Sequence, residues 1–68
     1  MEYLKQENEA LRRELTELLE LTMETNNFLR MVHDDLKKWG IEEDAEYVGF
    51  LVGASNEKIL KLKSLINQ

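Results

Sequence analysis

An apolar repeat of seven residues runs from Leu4 to Trp39, and it limits the possible folds of this chain more than any other feature. With Asn8, Leu15, Thr22, Leu29 and Leu36 at position a, position d is filled by Leu4, Leu11, Leu18, Thr25, Val32 and Trp39. Apolar residues alternately three and four apart form a narrow stripe on one side of a helix. Such a stripe escapes water only against another helix. The chain is therefore expected to be all-α and to assemble through helix–helix seams.

The first half of the seam also specifies a partner. Asn8 at an a position costs stability but can hydrogen-bond its own copy across a parallel two-stranded interface, fixing register and oligomer state. Position g carries Glu7 and Glu14, and position e carries Lys5 and Arg12. In a parallel pair g faces the following e of the partner, so Glu7 meets Arg12 of the second chain. An antiparallel pair sets like charges against each other. Each exposed pair contributes only about 0.2–1 kcal/mol, yet orientation depends on the difference between matched and mismatched sets. The expected homodimer interface comprises Leu4, Asn8, Leu11, Leu15, Leu18, Leu29 and Val32.

Through Leu4, Asn8, Leu11 and Leu18 the segment resembles the dimerisation half of basic-zipper transcription factors, over about a quarter of the chain. Those proteins read DNA with a long Lys/Arg-rich helix before the zipper. Arg12 and Arg13 are too few to replace it, and the chain is not assigned to that family.

Length and charge narrow the function classes. A chain of 68 residues is one domain and buries little core by itself, and with no cysteine it has no disulfide to compensate. Oligomerisation is the remaining remedy. The formal net charge of −5 argues against direct binding to nucleic acid, which needs a basic face. No apolar run is long enough to span a bilayer and no signal peptide precedes the first heptad, so neither membrane association nor secretion is expected. The expected localisation is cytoplasmic.

Proline is absent, and helix is expected from about Tyr3 to Trp39 and again from about Ala45 to Ile66. Residues 1–18 read as a coiled-coil stalk. In residues 19–68, a helical hairpin, Leu19, Leu21 and Phe28 widen the apolar stripe beyond what a two-stranded seam covers. Trp39-Gly40-Ile41 is the stop, since glycine accepts the left-handed conformation at a helix end. Asp44 is the expected cap of the second helix, whose stripe is Val48, Leu51, Val52, Ser55, Ile59, Leu62 and Ile66. That helix is expected to return as far as Leu18 and to cover the widened face. Doubling the hairpin gives a dimeric four-helix bundle. Ala45, Gly49 and Gly53 form a small-residue stripe that could admit Trp39 or Phe28; the helix is expected to be continuous or merely kinked at Gly53, the competing reading being a break at Gly53-Ala54 with Ser55 capping a third helix. Thr22 and Thr25 interrupt the apolar layers at one place: they either bond back to helix carbonyls, mark where the two long helices begin to separate, or only weaken the seam.

Candidate chemical sites are few. His33 beside Asp34 and Asp35 is the only cluster with acid–base or metal-ligand character. Neighbours on a helix point about 100° apart, so His33 and Asp34 do not readily share one ion. No Ser-His or Cys-His arrangement and no phosphate loop is present. Neither an enzyme nor a bound cofactor or metal is expected. Phe50, opposite the second helix's apolar stripe, is the first candidate for contact with a partner, with Leu60 as a weaker companion. The expected function is protein–protein interaction by a homodimer, as a small adaptor or regulatory subunit, with an unidentified protein as further partner. The alternative is an acidic inhibitor or antirepressor of a nucleic-acid-binding protein, acting by charge mimicry or mixed-zipper formation.

Overall fold

A computed structural model describes the backbone of residues 2–67 and the side chains of residues 7–67. Leu4, expected in the dimer interface, has its side chain outside that range. Two helices make up the described chain, α1 (Glu2–Lys38) and α2 (Glu42–Ile66), and no strand is present among the described residues. The helices pack on each other as a hairpin measuring 58 × 14 × 13 Å, which is the length of α1 and the width of two helices.

The turn follows from Gly40. Its φ of 78° is in the left-handed region. The Ile41 amide donates to the Leu36 carbonyl at 2.9 Å, and the Gly40 amide donates to the Lys37 carbonyl at 3.1 Å. This pair of bonds is the Schellman closure, which satisfies carbonyls that the helix end would otherwise leave open. Lys37 and Lys38 occupy the last turn, on the favourable side of the helix dipole.

α2 begins sooner than the sequence suggests. Its N-cap is Ile41, which makes no side-chain cap bond, so Asp44 lies inside the first turn instead of capping it. The reason is the Schellman closure. It leaves Ile41 with its carbonyl ready to accept from the Ala45 amide at 3.1 Å, and the helix starts at once. Glu42, Glu43 and Asp44 then act through the dipole, not as caps. The helix continues through Gly53 to Ile66 without a break. Thr16, Thr22 and Thr25 donate their hydroxyls to the carbonyls four residues back, so these polar residues cost the helix no unsatisfied group.

The interior is small. Only Ala45 and Leu62 are buried apolar residues, and Asn26 is the single buried polar one among the described residues. Around them lie half-buried Leu15, Leu19, Leu29 and Leu36 of α1, with Val48, Val52, Ile59 and Ile66 of α2.

Candidate functional site

The hairpin divides the apolar stripe of α1 between two faces. Leu15, Thr22, Leu29 and Leu36 at position a are half-buried, as are Leu19 and His33 at position e, and Asn26 at e is buried. These residues share one side of α1. Asn26 marks what they face: its amide nitrogen lies 2.6 Å from Ser55 Oγ, 3.0 Å from Asn56 Oδ1 and 3.3 Å from the Val52 carbonyl of α2. Ser55 in turn donates to the Val52 carbonyl at 2.9 Å. The intramolecular seam therefore uses positions a and e.

Positions d and g are left over. Leu11 and Leu18 at d and Leu21 and Phe28 at g are 47–64% exposed, and Trp39 at the end of the same stripe is 69% exposed. α2 was expected to cover Leu21 and Phe28, and it does not. At about 100° per residue, a and e point roughly 110° away from the centre of d and g, so one neighbouring helix cannot cover both. Of the residues assigned to a dimer interface, Leu11 and Leu18 lie on the open face. Val32 is half-buried at its edge, and Leu15 and Leu29 lie on the side turned to α2. Asn8 is exposed, beyond the reach of α2.

The open face continues onto α2. Because α1 and α2 are antiparallel and right-handed, the d and g stripe of α1 lies on the same side of the hairpin as Val48, Leu51, Leu62 and Leu65. Leu51 is half-buried and Leu65 half-exposed there. The opposite side carries a shallow groove lined by Arg30, His33, Asp34, Gly49 and Val52. In it the His33 ring lies 3.4 Å from where a Cβ on Gly49 would stand, so the small-residue stripe admits a histidine. Nothing stands within 4 Å of such a position at Gly53, and Trp39 and Phe28 are exposed elsewhere. His33 Nδ1 is 3.7 Å from Asp34 Oδ1. No group of three metal-ligating side chains comes together among the described residues, and no described helix is long and apolar enough to cross a membrane.

At the open end, Arg12 donates to the Ile66 carbonyl at 2.9 Å and so closes the last turn of α2. α2 thus reaches nearly one turn further than Leu18, to the level of Leu15. The part of α1 before Arg12 projects past it. Phe50 and Leu60 point away from α1 and are 72% and 68% exposed.

The Asn26 cluster went unread in the sequence. The signal was there: Asn26 stands 14 residues before Gly40 and Ser55 stands 15 after it, each in phase with an apolar stripe. No protein-family model, curated protein or solved structure matches the chain.

Proposed function

We propose that this protein is a homodimeric helical interaction module, a small adaptor or regulatory subunit whose two copies join through α1. One observation carries the reading. Among the described residues the hairpin buries only Ala45, Leu62 and Asn26 while leaving Leu11, Leu18, Leu21, Phe28 and Trp39 largely in water. A two-helix unit with so little interior is not expected to hold together alone, and a stripe of large apolar side chains is what a second copy removes from water. The finer arrangement is a parallel coiled coil formed by the projecting start of α1, with Asn8 at its polar a layer, leading into a four-helix bundle.

Sedimentation equilibrium at micromolar concentration tests this directly. About twice the chain mass is expected, and a stable, folded monomer would overturn the proposal. Beyond the dimer, the adaptor role uses the outward Phe50 surface to hold a protein partner. Binding of that kind persists as salt is raised. An acidic inhibitor that imitates nucleic acid would instead release its partner as ionic strength increases.

A further inference from the structure

From the partition of α1 between two faces we infer where the second copy sits: its α2 lies across positions d and g of α1, antiparallel to it, with the twofold axis along the bundle. This placement rests on the homodimer reading and adds which surfaces meet. Each α1 would then lie between two α2 helices, its own at a and e and the partner's at d and g. The two α1 helices would be parallel and diagonal within the bundle, meeting directly only in the projecting stalk.

Area comes first. A whole aromatic side chain offers roughly 150–250 Å² and a leucine somewhat less, so the exposed parts of Leu11, Leu18, Leu21, Phe28 and Trp39 make on the order of 600 Å² per chain. That is at the upper limit of the largest apolar patch on an ordinary monomer, about 300–600 Å². Two copies together reach about 1,200 Å², where specific interfaces begin. Leu51 and Leu65 extend the same side of the hairpin and take the total into the range of stable dimers.

Register comes second. The Asn26–Ser55 and Asn26–Asn56 contacts show that residues of α1 and α2 at one level have numbers adding to about 81 or 82. A twofold axis along the bundle preserves levels. It therefore sets Leu18 between Leu62 and Leu65 of the second copy, and Val32 between its Val48 and Leu51. By the same rule Thr25 comes between Ser55 and Lys58 of the second copy. Along position d, the apolar layers of Leu18 and Val32 meet apolar residues, and the polar layer of Thr25 meets polar ones.

Orientation comes third. An axis across the bundle would also stack the two open sides, pairing Leu18 with Val32 of the second copy. It would, however, send the two projecting ends of α1 in opposite directions, leaving Leu4, Asn8 and Leu11 without copies of themselves. Only the lengthwise axis brings both ends together, as the a and d pattern of that segment requires.

The chain has no cysteine, so introduced pairs are its only thiols. A double variant with Leu18→Cys and Leu65→Cys, oxidised at micromolar concentration, is expected to run as a covalent dimer on a non-reducing gel. A second pair, Val32→Cys with Leu51→Cys, should do the same and guards against loss of fold in the first. Leu18→Cys with Val32→Cys should stay uncrosslinked. Covalent dimer from that last pair, and none from the first two, would establish the crosswise axis and overturn the placement. If no pair crosslinks while the reduced chains still sediment as folded dimers, the second copy sits on another surface and the placement fails alone. If the reduced, folded chains sediment as monomers, the homodimer reading fails with it.

Discussion

Asn26 carries more of the hairpin's specificity than any leucine around it. Its amide supplies two protons to three acceptors, Ser55 Oγ, Asn56 Oδ1 and the Val52 carbonyl, in a place closed to water. A leucine at this point would pack against α2 at several sliding positions, whereas these bonds exist at one register only. Asn26→Ala removes the donor and leaves its acceptors behind, so chemical denaturation should show a loss of about 1–3 kcal/mol. A change below about 0.3 kcal/mol would mean that water replaces the amide without penalty. Phe50 is the opposite case. Being 72% exposed, it contributes little to folding, and Phe50→Ala should alter unfolding by under ~0.5 kcal/mol. Leu62→Ala, at a buried position in the last turns of α2, should cost about 2–5 kcal/mol in the same assay. Equal losses from the two variants would place Phe50 in an interface that dimer formation closes.

The two helices and their turn were legible from single residues. The stop at Gly40, the acidic start and basic finish of α2, and the hydroxyl bonds of Thr22 and Thr25 all follow from local chemistry, and local chemistry is what a sequence displays. The division of the α1 stripe was not legible. Positions a, d, e and g all carry apolar residues between Leu18 and Val32, interrupted by Thr22, Thr25 and Asn26, so periodicity shows a wide face without saying which half the chain covers itself. That choice is made by the angle at which the Gly40 turn releases α2, a property of the turn and not of the repeat. Asp44 was misplaced for a related reason: a strong cap residue is recognisable, but the Schellman closure had already begun the helix. The glycines give a paired test. Gly40 has open space around it, so Gly40→Ala is strained only by its φ of 78° and should lose about 1–2 kcal/mol. Gly53 also has open space but lies within α2, so Gly53→Ala should gain up to about 1 kcal/mol. Thermal melts of the two variants should therefore move in opposite directions, and a shared direction would contradict the turn geometry or the continuity of α2.

At the scale of the whole molecule, stability and association are one equilibrium. If the second copy covers the open side, the melting temperature should rise with protein concentration, because mass action favours the folded dimer. A melt unchanged across a hundredfold dilution would show that the hairpin holds without it. The shape of that hairpin also sets the order in which it can form. Every contact between α1 and α2 is nested about Gly40. Asn26 and Ser55 are 29 residues apart, and Arg12 and Ile66 are 54 apart. Closing the distant pair first would cost the entropy of the whole intervening loop, whereas closing from the turn outwards adds only a small increment at each step. Folding within each chain should consequently proceed as a zipper starting beside Gly40, and unfolding should begin where Arg12 holds the end of α2. Amide hydrogen exchange would record this as a gradient along α2, slow around Val48–Val52 and progressively faster beyond Leu62. The hinge would then be the most persistent part of the fold and its open end the most readily surrendered, so a partner competing for α2 would enter from the end that carries Ile66.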